Sequence, residues 1–218
     1  MAGLLDLTPD ELLTTTRSVR KRLDYSKSVS REIVIDCVRI AQQAPQGSNI
    51  AQTQFVLIDD KQMIANVAAI YLDVFETQYV NDSYSVFNRA SGDDTVDQQN
   101  RRVAGSVEHL ARTMHQAPML ALICAQPRFV TDPIRVKSRM GSVMPAIWSF
   151  MLAARARGIG TCWTGFTNRR EAEMADLLGI PIDDVEQVAL TPVAYTLGTD
   201  FQTARRDPPE SIIHWNSW

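Results

Sequence analysis

The stretch Pro118-Met119-Leu120-Ala121-Leu122-Ile123-Cys124 limits the possible folds more than any other part of the chain. A strand with one wet face alternates apolar and polar residues. This run does not alternate, so it predicts a central strand covered on both faces. Phe55-Val56-Leu57-Ile58 predicts a second short buried strand, stopped by Asp59-Asp60. Thr161-Cys162-Trp163-Thr164 and Val185–Tyr195, the latter with an internal Pro192, predict two more. Covering such strands requires helices, and the chain supplies them. With 218 residues, 45% of them apolar, it fits one sizeable domain over 1–218, in which 200–218 forms an extended C-terminal arm. A chain of this size buries about two thirds of its surface or more and needs no disulfide or metal to hold a core.

Thr8-Pro9-Asp10-Glu11 is a helix start, with an N-cap hydroxyl, proline at N1 and acids in the first turn. Ser28–Glu32 opens a second helix, in which Ile33, Val34, Cys37, Ile40, Ala41 and Ala44 recur at helical spacing until Pro45. A helical pattern covers Lys61 to about Phe87, with Ile64, Val67, Ala68, Tyr71 and Phe75 on one side. Residues 88–98 are polar and aperiodic and are expected to form a loop over a site. Further helices are expected over Gln99–His115, Val143–Arg157 and, capped by Asn168, up to Leu178 before Gly179. The second of these carries Met144, Ile147, Trp148, Phe150, Met151 and Ala154, which predicts a deeply buried or subunit-interface helix. Residues 126–139 between strand and helix are polar and contain proline. The order is mixed α and β, with helices in the majority around a small sheet.

Several functional classes fall away. The formal net charge is −3, whereas a general nucleic-acid binder is usually basic, so no nucleic-acid partner is expected. Cys37, Cys124 and Cys162 are odd in number and widely spaced, and no CxxC pair occurs. Neither a zinc site nor a disulfide framework is expected, and a reducing cytoplasm is the simplest compartment. No signal peptide is visible, and no apolar run approaches the roughly 20 residues of a membrane span. No nucleophile elbow, P-loop, HExxH or GxGxxG is present. Gly158-Ile159-Gly160 reads as a helix-to-strand turn. His109, His115 and His214 are scattered and read as surface or core residues. A chain without an acid–base set often draws its chemistry from a cofactor.

One basic stretch stands out against the slightly acidic background. Arg17-Ser18-Val19-Arg20-Lys21-Arg22 places four cations and a hydroxyl in six residues. Guanidinium forks match phosphate oxygens, and a serine hydroxyl donates beside them. A second pair, Arg205-Arg206, stands near the far end. Read alone, each pair is a solvated surface. Between them lies Pro45-Gln46-Gly47-Ser48-Asn49, a turn-rich segment of exposed amides and hydroxyls.

Arg17–Arg20, Ala44–Asn49 followed by Phe55–Ile58, Gly158–Gly165 and Phe201–Arg206 through Trp215, taken in this order, resemble the nitroreductase family of FMN-dependent oxidoreductases. The ordered set spans nearly the whole chain, and residues 75–115 match least. The resemblance implies an α+β fold with a central, mostly antiparallel sheet flanked by helices. It implies an intertwined homodimer with FMN at the subunit interface. By the same resemblance Arg17, Ser18 and Arg20 contact the phosphate, ribityl chain and pyrimidine edge of FMN, and Arg205, with Arg206, completes the phosphate site. Pro45, Ser48 and Asn49 reach the flavin from the partner subunit. Thr164 and Gly165 lie near the ring, with a backbone N–H able to face N5. The family's Asn-x-Gln-Pro-Trp step is here Asn49-Ile50-Ala51-Gln52-Thr53-Gln54-Phe55, so Gln52 is displaced by one position and the tryptophan is absent. Thr203 stands where the family's C-terminal lysine is usual.

The activity implied is hydride transfer from NADH or NADPH through flavin N5 to nitroaromatics, quinones or similar electron-poor small molecules, with ping-pong kinetics and no catalytic side chain. A flavin-binding protein without turnover, acting as a store or redox sensor, is the alternative. Lys21 and Arg22 are expected to face solvent.

Overall fold

Met119–Ala125 forms the strand β3, and all seven of its residues are at most 1% exposed in the computed structural model, which describes residues 3–129 and 131–218. The side chains divide by parity, as a pleated strand requires. Leu120, Leu122 and Cys124 pack on one face, and Met119, Ala121, Ile123 and Ala125 on the other. β3 pairs antiparallel with β2 (Thr53–Ile58) on one side and with β5 (Glu186–Thr196) on the other. The end of β5 continues beyond β3 and pairs with the two-residue strands β1 (Leu23–Asp24) and β4 (Ile159–Gly160). The sheet runs β1-β5-β3-β2, with β4 attached to β5, and every strand pairing is antiparallel. It is thus the helix-flanked antiparallel sheet of an α+β fold.

The helices α1 (Pro9–Thr15), α2 (Arg31–Ala41), α3 (Lys61–Val74), α4 (Asp94–Thr113), α5 (Pro133–Arg155) and α6 (Glu171–Leu178) surround this sheet. Leu120 and Leu122 pack against Ile64, Val67 and Tyr71 of α3 and Leu110 of α4. The smaller Ala121 and Ala125 face Val34 and Cys37 of α2 and Ile147 and Phe150 of α5. Small residues there let the long α5 lie close to the strand. Burying each large aliphatic side chain contributes about 1.5–3 kcal/mol, so the two faces of one strand anchor both helical layers.

The helix starts follow local chemistry. Thr8 and Glu11 form a reciprocal capping box on α1, and Pro9 takes the first turn. Asp60 caps α3 through Met63 N at 2.8 Å. Four boundaries differ from the sequence expectation. The 61–87 helix ends at Val74 and loosens into a π-turn over Phe75–Tyr79. α4 begins at Asp94 because Asp93 accepts from Thr95 N and Val96 N, which turns part of the expected 88–98 loop into helix. α5 begins at Pro133 under an Asp132 cap, ten residues before the expected start. Its polar first turns hide the helix in sequence, yet Arg139 there is fully buried, donating to Pro127 O at 2.6 Å and pairing with Glu186. Asn168 does not cap α6; its side chain donates to Val188 O, and the helix starts at Glu171. Gly179 ends α6 in the left-handed region, φ 67°.

Among the described residues no helix is long and apolar enough to cross a membrane. Beyond β5, residues 197–218 leave the sheet, and Trp215 and Trp218 at the end are 83% and 101% exposed.

Candidate functional site

The basic stretch leaves α1 and runs alongside residue 161. Val19 N donates to Thr161 O at 2.8 Å, and Ser18 and Thr161 form a parallel bridge. Extended backbone alternates its side chains. Val19 therefore sinks into the core at 4% exposure while Ser18 and Arg20 turn outward, and a turn over residues 20–22 brings Leu23 back to the core at 5%. The approach is close enough to require glycine at 160. A Cβ there would stand 2.8 Å from Thr196, 2.9 Å from Leu23 and 3.0 Å from Val19.

Outward, the stretch lines a cleft of about 390 Å³ whose other wall is Ser106 of α4 and the segment Asp200–Gln202. Arg17 Nη1 donates to Gln202 O at 3.1 Å, and Arg20 Nη1 lies 3.4 Å from Ser106 Oγ. Four cations, Arg17, Arg20, Lys21 and Arg22, face one carboxylate, Asp200. Among the described residues Asp200 pairs with Arg22, and Arg17, Arg20 and Lys21 have no carboxylate within 4 Å. The cleft therefore has an unbalanced positive charge and hydroxyls at two sides, the donor set of an anion site.

Arg22 corrects the expectation that it faces solvent. It donates from Nε to Leu197 O at 2.8 Å, pairs with Asp200 and lies 4.3 Å over the Phe201 ring. Arg155, 3% exposed, approaches the same ring at 5.0 Å and donates to Thr199 O at 2.9 Å. Two guanidinia thus hold the far wall of the cleft, and Arg17 ties down its end. Sequence reasoning missed Arg155 and Ser106, whose helical positions carry no local signal of a site.

Behind the stretch lies Thr164, bonded in both directions to Leu190 at 2.9 Å, its own hydroxyl buried without a partner. Pro192 has no N–H to give to a ladder. Beside it Cys162 N donates to Thr191 Oγ1 at 2.9 Å. Cys162 sits close behind Ser18 and Arg20. Burial raises its thiol pKa, and the Arg20 charge opposes this. Burial lifts Cys37 to about 11 and Cys124 to about 12, so these stay neutral thiols at pH 7. Gly165 leads into Phe166, which stacks on Tyr71 at 4.9 Å and lies 4.3 Å from Tyr79.

The remaining expected site residues lie elsewhere. Pro45, Ser48 and Asn49 are exposed and line no part of the Arg17 cleft. Ser48 and Asn49 both adopt left-handed backbone, φ 55° and 57°, in a turn tied to α5 by Gly47 N donating to Ser142 Oγ at 2.9 Å. Gln52, at the entry to β2, has a buried Oε1 without a partner. Arg205 and Arg206 line a separate cleft with Asp93, Thr95 and Gln99 at the start of α4. Gln99 and Ser106 are seven residues apart on α4, about 10 Å along a helix. The arm thus carries Arg205 and Arg206 past the Arg17 cleft, because Asp200 and Phe201 are held by Arg22. None of the three histidines lines the Arg17 cleft, and no His/Cys/Asp/Glu group among the described residues could hold a metal ion.

The Nitroreductase family model matches residues 13–198, and the chain belongs to that family. Solved structures share the fold. An iodotyrosine deiodinase bound to FMN and 3-iodo-L-tyrosine superposes with TM-score 0.72 at 18% identity, over 96% of this chain and 99% of its own. A BluB-like flavoprotein from Clostridium difficile 630 gives TM-score 0.69 at 19% identity, over 97% and 100%. NfnB, an FMN and NADPH-dependent nitroreductase from sphigopyxis sp. strain HMH, gives 0.68 at 19%, over 97% and 100%. No curated protein sequence matches the chain significantly.

Proposed function

We propose that this chain is an FMN-dependent NAD(P)H oxidoreductase that works as a homodimer. The observation that carries the reading is the Arg17–Arg22 cleft, where a nitroreductase-family chain sets four cations against one carboxylate. An FMN phosphate fits this cleft chemically: it brings close to two negative charges, and each well-formed charge-assisted bond contributes about 1.5–3 kcal/mol. Arg17 and Ser18 hold the phosphate and ribityl hydroxyls, and Arg20 holds the pyrimidine edge. A cation there favours negative charge on the ring. Thr164 and Gly165 border the ring, where a backbone N–H donates to it.

Pro45, Ser48, Asn49 and Gln52 serve the site of a second copy. Two features support this. Ser48 and Asn49 present polar groups away from their own chain's cleft, and their turn is tied to α5. On α5, Met144 and Trp148 are 47% and 38% exposed one turn apart, an apolar ridge suited to a two-fold contact. Three buried, unbridged cysteines accord with a reducing cytoplasm.

FMN, when bound, supplies the redox centre that accepts hydride from NADH or NADPH and returns it to an electron-poor acceptor such as a nitroaromatic or quinone, the two substrates using one position in turn. The chain's own part is binding, orientation and water exclusion. The purified protein is expected to be yellow, with oxidised-flavin absorption that bleaches on stopped-flow mixing with NADH or NADPH and returns with acceptor. A colourless protein that takes up no added FMN would overturn the reading.

A further inference from the structure

A second cleft, of about 420 Å³, lies between residues 86–90 and α4. It adjoins the Arg17–Arg22 cleft. Gly105 lines one and Ser106 the other, and a Cβ built on Gly105 would stand 3.9 Å from the Lys21 ammonium.

Its two walls differ in chemistry. The apolar wall includes Val86, Phe87 and Ala104. Phe87 meets Phe75 and Tyr79 edge-on, at 5.7 and 6.3 Å, and Tyr79 packs on Phe166, the residue after Gly165. Aromatic packing thus connects Phe87, through Tyr79, to Phe166, which follows Gly165 in the chain. The polar wall carries Arg89, Arg101, Asn100 and Asp97. Asp97 is engaged mainly by Ser91: its Oδ1 accepts from Ser91 N and Ser91 Oγ, both at 2.8 Å, and these bonds, with a smaller contribution from the Arg101 charge, lower its pKa. Arg89 gives one N–H to Tyr84 O at 2.9 Å. Neither Arg89 nor Arg101 has a carboxylate within 4 Å among the described residues. Two guanidinium forks, with Lys21 at the rim, thus share the cleft with an apolar wall that carries one aromatic ring, Phe87.

We infer that this cleft binds an anionic group, carboxylate or phosphate, of a substrate whose reacting end enters the neighbouring cleft. The inference rests on the flavoprotein reading and adds the substrate class: aromatic or nicotinamide compounds that carry a negative charge remote from the reacting atoms. A fork matches either anion in bidentate fashion, and the Phe87 face takes the flat body of the molecule.

The test uses the FMN-loaded full-length protein, titrated calorimetrically with two matched pairs: 4-nitrobenzoate against 4-nitrobenzamide, and NADP⁺ against NAD⁺. The member carrying the additional anionic group, the carboxylate of 4-nitrobenzoate or the extra phosphate of NADP⁺, binds about tenfold tighter or more in at least one pair, which is about 1.4 kcal/mol. That advantage shrinks to about twofold or less in R89Q/R101Q, and fades with added salt, as expected for exposed charges. Both arginines are exposed, so the double variant keeps its fold, and its FMN content is expected to stay unchanged. An advantage confined to nitrobenzoate assigns the anion to the acceptor, and one confined to NADP⁺ assigns it to the donor. No advantage in either pair, or one that survives R89Q/R101Q, overturns the inference while leaving the flavin reading intact. Failure to load FMN overturns both.

Discussion

The Arg17–Arg22 stretch and the Gly47–Asn49 turn are both polar, and both stand out in the sequence, but the fold treats them differently. The first is fixed along its length: Val19 and Leu23 are in the core, Ser18 bridges Thr161, and Arg22 holds the opposite wall of its cleft. The second is exposed, left-handed at two successive non-glycine residues, and joined to the body through Gly47 and Ser142. On the proposed homodimer, the rigid backbone with its unbalanced charge would be one half of a binding site, and the protruding polar turn beside the apolar helix ridge, supplied by a second copy, would be the other.

Four experiments test that contrast. The largest effect is expected at the ridge. Trp148→Glu places a charge where a second copy would cover it, and leaving an unpaired charge buried costs about 3–5 kcal/mol. Sedimentation should show a monomer of unchanged helicity whose FMN affinity has dropped; a dimer that persists would separate the turn from the site. Next, Arg17→Ala removes a charge-assisted partner worth about 1.5–3 kcal/mol, about 10- to 150-fold in FMN dissociation constant. Flavin fluorescence measures it, and an unchanged constant would remove the phosphate from that cleft.

The third compares two glycines. Gly160→Ala pushes a Cβ to within 3.0 Å of three side chains, an overpacking expected to lower unfolding free energy by about 1–3 kcal/mol. Gly47→Ala meets only Ser142 and Ser138 oxygens at 3.4 and 3.7 Å and should stay within about 0.5 kcal/mol. Equal losses in urea titrations would contradict the view that only the first segment is fixed by packing.

The smallest effect concerns the wall opposite Arg17. The bond from Arg22 holds the Asp200 carboxyl below the usual carboxylate range. A lowered native pKa contributes stability that is complete above the ordinary aspartate value, about pH 4, and is lost as pH falls through the native value. Pepsin cleavage of the 200–218 arm, taken as the ratio to Asp200→Asn at the same pH so that the protease's own pH dependence cancels, should rise toward one as pH drops below about 4. A ratio that does not change with pH would mean the pair does not hold the arm.

Much of this architecture was legible in local patterns. The unbroken apolar run at 118–124 announced a strand covered twice. Thr8-Pro9 and Gly179 marked helix ends, because capping involves neighbours in sequence. The start of α5 was hidden because the apolar stripe of its first turns is interrupted by Arg135, Lys137 and Arg139. Arg139 is buried only because Pro127 O and Glu186 meet it from distant parts of the chain.

The site divides in the same way. The amino-acid order marked Arg17–Arg20 as a cationic stretch, and the local backbone turns Val19 inward with Ser18 and Arg20 outward. The tertiary structure decided that Arg22 and Arg155 would clamp Phe201, that Arg205 and Arg206 would lie along α4 in another cleft, and that Ser48 and Asn49 would face away. Each of those outcomes depends on contacts across more than forty residues, or on a surface left uncovered, and neither is written in the spacing of neighbouring side chains.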